Sequence, residues 1–432
     1  MKYARCAGLD VHKDTVVACV RVTADGKVVR TTKTFSTLTR DLFALQAWLV
    51  AEQVTHVAME ATGVYWKPVW HILEESVELI LANPAHIKNV PGRKTDVKDA
   101  EWIVELLAHG LVEASFVPPS AIQELRALTR DRRQFHREAT QHVQRIQKVL
   151  QDANIKIDSV ISDVMGKSGR AFLDAIVRGE TDPERLALLA DRRLKATHEP
   201  IVEALRGRVT ARHWAALRRH LALLVAIETA VAEIDEEVTA LLEPFRRQVA
   251  LLDTMPGIDV ATAEVIIAEI GVDMSRFPTA AHLVSWAGLS PRNDESAGKK
   301  RNTRIGKGGQ WLKSTVVQAA WAAARTKGSH LRVVYLRLKG KRGPKRAIVA
   351  VAAEMMRSAW YMLTRDEPYR DIGDGYVDEA QKEQTARRLV RKLKKLGYAV
   401  ELPAAAQDRA PRHPCEFLVS VVVCRASGSS LP

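Results

Sequence analysis

The sequence predicts an α/β domain at the N-terminus, a helical arm behind it and a mostly α-helical domain nearer the C-terminus. Short apolar runs rich in β-branched residues alternate with helical patterns over residues 1–115. Two long stretches carry apolar residues at helical spacing over residues 116–250. Residues 251–365 are again mainly helical in pattern, but a glycine-rich basic segment interrupts them. In residues 366–432 the periodicity is lost, and we expect one basic helix and a poorly ordered tail.

The net charge indicates a polyanionic partner. The chain has 432 residues, too many for one ordinary domain, and 47% of them are hydrophobic, which excludes a largely disordered protein. Lysine and arginine total 65 against 51 aspartate and glutamate residues, so the formal net charge is +14. Because the cations are clustered along the chain, nucleic acid is the expected partner.

The cysteines and the N-terminus indicate a reducing compartment. Cys6, Cys19, Cys415 and Cys424 have neither the spacing of metal ligands nor that of a disulfide framework. The N-terminal residues lead into a predicted strand without the apolar core of a signal peptide, and no apolar run is long enough to span a bilayer. We therefore expect a soluble, cytoplasmic protein with no membrane partner.

The order of elements in residues 1–115 points to one fold. The run RCAGLDVHKDTVVACVRV predicts two strands, and Asp25-Gly26 supplies the positive φ of a two-residue hairpin turn into a third. A helix near LTRDLFALQAWLVAEQ, the strand THVAME, a helix near KPVWHILEES, the strand VELILANP and another helix follow. Three strands, a helix and then alternating strands and helices is the order of an RNase H-like fold.

Four carboxylates lie where that fold needs metal ligands. Asp10 is near the end of the first strand and Glu60 ends a later one. Asp96 opens the next helix, and Asp99, three residues on, shares its face of the helix. An acidic cluster of this kind can hold two Mg²⁺ ions, which drive phosphodiester chemistry. His12, two residues after Asp10, either orients that carboxylate or is an ordinary turn residue.

The helical regions leave several interpretations open. The two long amphipathic stretches of residues 116–250 predict a coiled-coil or hairpin arm that mediates dimerisation or nucleic-acid contact, or helices that merely pack against a core. Pro256-Gly257-Ile258 joins two further helices in the manner of a helix-hairpin-helix, whose second helix can meet a phosphate through its N-terminal amides. A plain turn between two helices uses the same residues.

The basic segment contains a candidate nucleophile, Ser296. A serine hydroxyl needs a base, a metal or a cationic field to react, and the cations that follow it could neutralise a phosphate. From residue types alone, however, an ordinary loop serine is the better interpretation. Ser290, Thr303 and Ser314 are equally open candidates, so the local sequence does not decide.

A resemblance to a known family does decide between these candidate nucleophiles. The motifs GLDVHKDT, MEATGVYW, NPAHIKNVPGRKTDVKDA, MPGI, WAGLSPRNDESAGKKR and GKGGQWLK occur in this order. Together they resemble the DEDD-type insertion-sequence transposases of the IS110/IS1111 group, relatives of the Piv invertases, over residues 5–365. The resemblance implies a RuvC-like N-terminal domain whose four acids match Asp10, Glu60, Asp96 and Asp99. It also implies a C-terminal transposase domain whose nucleophilic serine matches Ser296.

The resemblance implies a mechanism and partners as well. In the family, the serine forms a covalent 5′-phosphoserine intermediate while the acids hold Mg²⁺. The two halves of an active site come from different protomers of a tetramer, so a homo-oligomer, dimer or tetramer, is expected. A structured bridge RNA selects donor and target DNA, which leaves the protein to make shape and backbone contacts.

The expected nucleic-acid contacts are basic residues close to these motifs. They are Arg93, Lys94, Arg292, Lys299, Lys300, Arg301, Arg304, Lys307, Lys345 and Arg346. Two alternatives to the recombinase remain. One is a metal-only RNase H-like nuclease of the junction-resolvase type, in which water attacks and Ser296 is incidental. The other is a non-catalytic nucleic-acid-binding protein whose acidic cluster is a relic.

Overall fold

The computed structural model describes most of the first 373 residues. The described residues are 2–24, 26–61, 63–84, 87, 99–291, 294–296, 299–302, 304–306, 308–373, 390–391 and 393. Several predicted site residues lie outside them: Asp96, Arg93, Lys94, Arg292 and Lys307. Of the predicted C-terminal segment, residues 366–432, the structure describes 366–373, 390–391 and 393, and the rest of the expected basic helix and tail lies outside the described residues.

The described chain contains two sheets and a larger number of helices. The strands are β1 (Arg5–Val11), β2 (Thr15–Ala24), β3 (Lys27–Ser36), β4 (His56–Glu60), β5 (Glu78–Ala82), β6 (Asp294–Ser296) and β7 (Lys299–Asn302). The helices are α1 (Thr39–Ala51), α2 (Trp66–Leu73), α3 (Asp99–Ala108), α4 (Ser120–Asp152), α5 (Lys167–Val177), α6 (Pro183–Ala187), α7 (His198–Leu205), α8 (Ala211–Leu241), α9 (Arg246–Asp253), α10 (Val260–Ile270), α11 (Ala280–Trp286), α12 (Gln310–Ala323), α13 (His330–Arg342) and α14 (Pro344–Arg365). None of these described helices combines the length and apolarity needed to cross a membrane.

The N-terminal unit is a mixed sheet, as the sequence predicts. Its strand order is β3-β2-β1-β4-β5. Strands β1, β2 and β3 pair antiparallel, whereas β4 pairs parallel with both β1 and β5. Gly26, at the turn between β2 and β3, has a φ of +74°, which explains why glycine occupies that position.

Helices cover both faces of this sheet, because β1 and β4 are apolar on both sides. Leu9 and Met59 face a core shared with α1 and α2. Ala58, on the other face, belongs to a separate core with Ala100 and Val104 of α3. The small residues on this second face let α3 approach the strands closely.

The two predicted long helices are α4 and α8, which pair antiparallel. Arg132 of α4 contacts Asp235 near the end of α8, and Asp152 at the end of α4 contacts His213 near the start of α8. The outer halves of the pair form a core with α5, α6 and α7. The inner halves, through residues such as Leu125 and Val238, pack into the core of the C-terminal helices.

The C-terminal unit corrects one prediction. Residue types in the glycine-rich basic segment predict a loop around Ser296, but β6 and β7 form an antiparallel hairpin in it, with Ser296 paired to Lys299. An isolated bridge between Pro291 and Ile305 continues the pairing. Only Ala297 and Gly298 stand between Ser296 and Lys299 in the sequence, a length that suits the connection of a hairpin.

Candidate active site

Two of the predicted acids are neighbours at the ends of adjacent parallel strands. Leu9 of β1 pairs in register with Met59 of β4, and Asp10 and Glu60 each follow by one residue. Because side chains alternate along a strand, Asp10 and Glu60 point to the face opposite Leu9 and Met59, which is the face that α3 covers. Both are partly buried. The structure thus brings these carboxylates together at the carboxyl end of the sheet.

Helix α3 brings Asp99 to the same end of the sheet. The amide of Lys2, just before β1, donates to the carbonyl of Ala108 at the end of α3 over 2.8 Å. The start of α3 lies over Gly8, in the middle of β1. The helix therefore runs antiparallel to β1, and Asp99, its exposed first residue, lies towards Asp10.

His12 contacts the candidate cluster directly. Its Nε2 lies 3.1 Å from Oδ2 of Asp10, whose side chain is 22% exposed. Of the two interpretations of His12, the contact favours a residue that orients Asp10. The imidazole of His12 also contacts a carboxylate oxygen of Asp10 that a bound metal ion would need as a ligand.

The donor chemistry of the cluster suits a hard divalent cation, since carboxylate oxygens are the ligands that Mg²⁺ prefers. Within the described residues, no three His, Cys, Asp or Glu side chains converge closely enough to hold a metal ion. Asp96, the remaining predicted ligand, lies outside those residues. Asp10, Glu60 and Asp99 therefore supply the right donors at one end of the sheet without forming a closed site by themselves.

Ser296 lies on the C-terminal hairpin rather than on the N-terminal sheet. It pairs with Lys299, and Glu295 pairs with Lys300, so two predicted phosphate contacts face the serine strand at backbone level. Arg301 is also in β7, and Arg304 follows it as an exposed residue.

Other predicted contacts and nucleophiles are now placed. Lys345 and Arg346 are exposed in the first turn of α14. Ser314 is an unsuitable nucleophile, because its hydroxyl donates to the carbonyl oxygens of Gln310 at 2.6 Å and Trp311 at 3.0 Å within α12.

The base of the hairpin is fixed by a glycine crossing that sequence reasoning missed. A Cβ on Gly288 would lie 2.5 Å from the carbonyl oxygen of Gly308, so the two segments flanking the hairpin touch backbone to backbone. Lys313 of α12 donates from Nζ to the carbonyl oxygens of Gly306 at 2.8 Å and Gly308 at 3.3 Å. The motif GKGGQWLK contains Gly306, Gly308 and Lys313, but only the fold shows that the lysine donates to the two glycine carbonyl oxygens.

The helix-hairpin-helix interpretation is not favoured by the geometry. Asp259 caps α10, and its Oδ1 accepts a hydrogen bond from the Thr262 amide at 2.8 Å. The cap places a carboxylate where a phosphate would bind. Gly257, with a φ of +85°, packs against the backbone of Ala319 and Ala323 in α12. The turn is therefore a close helix–helix contact.

Comparisons with known proteins agree with the sequence motifs. A transposase family model, DEDD_Tnp_IS110, matches residues 7–155, and a model described as the transposase IS116/IS110/IS902 family matches residues 249–336. The transposase for insertion sequence element IS1111A of Coxiella burnetii is 24% identical over 380 residues, which cover 86% of this chain and 92% of that protein. The pilin gene-inverting protein of Moraxella bovis is 23% identical over 379 residues, covering 84% of this chain and 96% of that protein.

The two family models together match both the unit that carries Asp10, Glu60 and Asp99 and most of the unit that carries Ser296, this residue included. The chain therefore belongs to the IS110/IS1111 family of insertion-sequence transposases, enzymes that cut and rejoin DNA.

Proposed function

We propose that this transposase excises and integrates its element by a two-part active site. Asp10, Glu60, Asp96 and Asp99 hold Mg²⁺, and Ser296 is the nucleophile. The observation that carries the proposal is the neighbouring position of Asp10 and Glu60 at the ends of β1 and β4, with Asp99 delivered by α3. The strand order β3-β2-β1-β4-β5 supports an RNase H-like, RuvC-like fold for residues 1–115.

In the proposed cleavage step, the Ser296 hydroxyl oxygen bonds to the phosphorus of the scissile phosphodiester. The bond from phosphorus to the 3′ oxygen breaks, and the leaving 3′ hydroxyl takes up a proton while the serine releases one. The product is a 5′-phosphoserine ester, which keeps the bond energy for rejoining to another 3′ hydroxyl. Bound Mg²⁺ would stabilise the negative charge on the entering and leaving oxygens.

Basic residues around the hairpin are proposed to grip the nucleic acid. Lys299, Lys300 and Arg301 stand on the strand opposite Ser296 or next to it. The other members of the proposed set are Arg93, Lys94, Arg292, Arg304, Lys307, Lys345 and Arg346. A bridge RNA that pairs with donor and target DNA remains part of the proposal, because the cationic excess suits backbone contacts with both nucleic acids.

The helical arm is proposed to join protomers. Leu223 and Val225 of α8 are 49% and 54% exposed, on either flank of the buried Leu224. Apolar residues in an exposed helical arm favour a homo-oligomer, a dimer or a tetramer. We propose that residues 1–115, 116–250, 251–365 and 366–432 are separate functional units. The inner ends of α4 and α8 pack into the core of the third unit.

One observation favours the metal-only nuclease as a second candidate: the acids and Ser296 belong to different units of the chain. Excision in cells that carry the native element with its flanking non-coding DNA separates the two mechanisms. PCR across the excised circular junction should detect product with the wild type and none with Asp96→Ala or Ser296→Ala. Junctions formed by Ser296→Ala would select the metal-only mechanism, and wild type without junctions would contradict both.

A further inference from the structure

Helix α4 presents a row of arginines to the C-terminal unit, and most of them have acidic partners. Arg130 makes two parallel hydrogen bonds to the Glu269 carboxylate, both 2.8 Å long. Arg126 donates to the carbonyl oxygens of Ala268 and Glu269, and its Nε lies 3.7 Å from the Glu269 carboxylate. These guanidinium groups are therefore charge-compensated. Arg132 is also compensated, by Asp235 and Glu264 at 2.9 Å each.

Two arginines further along the helix differ from these. Within the described residues, neither Arg133 nor Arg137 has a carboxylate at salt-bridge distance. Arg133 is partly buried and donates to the carbonyl oxygen of Trp311 and to the Thr315 hydroxyl, each at 3.1 Å. Arg137 is exposed, and its guanidinium carbon lies 5.4 Å from the centre of the Trp311 ring.

Trp311 collects three guanidinium groups around one ring. The carbons of Arg130 and Arg133 lie 5.7 and 5.6 Å from the ring centre, close to the distance for Arg137. An aromatic face attracts a guanidinium and fixes the orientation of its plane. Arg133 and Arg137 are four residues apart on the helix, so their like charges repel. Burial lowers the pKa of Arg133, and the neighbouring Arg137 lowers it further.

We propose that Arg133 and Arg137, held against Trp311, form a binding site for the phosphodiester backbone of a nucleic acid. The site rests on the proposed function, and it adds a contact on α4 to the contacts predicted near the motifs. A phosphate group would supply Arg133 and Arg137 with the negative charge that Glu269 supplies to Arg130 and Arg126. Planar guanidinium groups can bind its oxygens in pairs.

The place of the site in the fold supports this ligand. Trp311 follows Gly308, at the glycine crossing that forms the base of the Ser296 hairpin, by three residues. Trp311, Arg130 and Glu269 also line a cleft of about 1540 Å³ that extends to β5 of the N-terminal sheet. A nucleic-acid strand bound across Arg133 and Arg137 would thus lie beside this cleft, between the unit that carries Ser296 and the sheet that carries Asp10 and Glu60.

Arg137→Ala tests the site without removing a buried contact. Purified full-length protein is titrated against a labelled DNA duplex and, separately, a labelled RNA hairpin, each of unrelated sequence and at several salt concentrations. We expect Arg137→Ala to weaken binding about tenfold and to reduce the slope of log K against log salt by about one. Arg137→Lys should restore the slope but only part of the affinity, because lysine keeps the charge and loses the planar stacking.

The matched control is Arg218→Ala on α8, another exposed arginine without a carboxylate partner among the described residues. It should bind both probes as the wild type does. A loss by Arg137→Ala on DNA alone or RNA alone assigns the site to that nucleic acid, and a loss on both supports a shared site. Unchanged binding by Arg137→Ala, or an equal loss by Arg218→Ala, would overturn the proposal. Junction PCR with the wild type tests the proposed function separately, so either can fail alone.

Discussion

A Cβ atom on Gly8 would lie 2.4 Å from the carbonyl oxygen of Ala100, so α3 rests on the backbone of β1 with no space for a side chain. Gly8 pairs in register with Ala58, and both belong to the face that α3 covers. The closeness of this contact determines where α3 begins relative to the strand. It therefore determines how near Asp99 comes to Asp10.

We expect Gly8→Ala to displace α3 and to lower the free energy of unfolding by about 1–3 kcal/mol, the usual cost of overpacking a close contact. Urea denaturation measures the change, and junction PCR should show reduced excision because Asp99 moves. Gly340→Ala is the control, since a Cβ there meets nothing within 4 Å. This helical substitution should instead raise stability by about 0.5–1 kcal/mol. Equal effects at the two glycines would contradict the packing argument.

Asp99 offers the sharpest test of the acidic cluster. It is exposed at the start of α3, so Asp99→Asn should change stability by no more than about 0.5 kcal/mol. If Asp99 is a Mg²⁺ ligand, the same change should reduce junction formation on the order of a thousandfold, because several kcal/mol of charge stabilisation are lost. Glu101→Gln removes a charge two residues along the helix and should leave excision unaffected. Normal excision by Asp99→Asn would remove this residue from the site.

Ser296 can be distinguished from the other hydroxyls of its unit. Ser296→Ala should abolish both circular junctions and the covalent protein–DNA adduct, which denaturing gel electrophoresis of labelled substrate detects. Ser314→Ala should retain both, since the Ser314 hydroxyl is already bonded to carbonyl oxygens of α12. An adduct that survives in Ser296→Ala would place the nucleophile elsewhere.

The sequence predicts the N-terminal sheet and the positions of Asp10 and Glu60 well, because strand ends follow from local apolar patterns. It does not predict the close packing of Gly8 on Ala100 or of Gly288 on Gly308, because each contact joins segments that are distant in sequence and meet only in the fold. The sequence does not predict the hairpin around Ser296, because the aspartate, lysine and asparagine residues of its strands have low strand propensity, which pairing overrides. All the arginines of α4 look alike in the sequence. Only the carboxylates of Glu269, Asp235 and Glu264, which the fold brings to α4, separate the compensated arginines from Arg133 and Arg137.

The buried thiol of Cys6 predicts a pH dependence at alkaline pH. Burial is the main cause that raises the pKa of Cys6, from 9.0 to about 11. The folded protein then holds a proton that the unfolded chain loses between pH 9 and 11, so stability should fall as the pH rises through that window. Over this pH range the wild type should lose about 2–3 kcal/mol of unfolding free energy relative to Cys6→Ala. Parallel curves of unfolding free energy against pH for the two proteins would refute the assignment.

The carboxylate of Glu269 stabilises the packing of α10 against α4. Only 2% of it is exposed, and it pairs with both Arg126 and Arg130. Glu269→Ala should lower the free energy of unfolding by about 3–5 kcal/mol, because it leaves buried guanidinium charge without a carboxylate. Glu264→Ala, on the same helix, is the matched control: its partner Arg132 keeps Asp235, so a loss of only about 1 kcal/mol is expected. Urea denaturation of both variants measures the difference. Similar losses would mean that Glu269 does not compensate the two arginines, and the distinction between them and Arg133 with Arg137 would then fail.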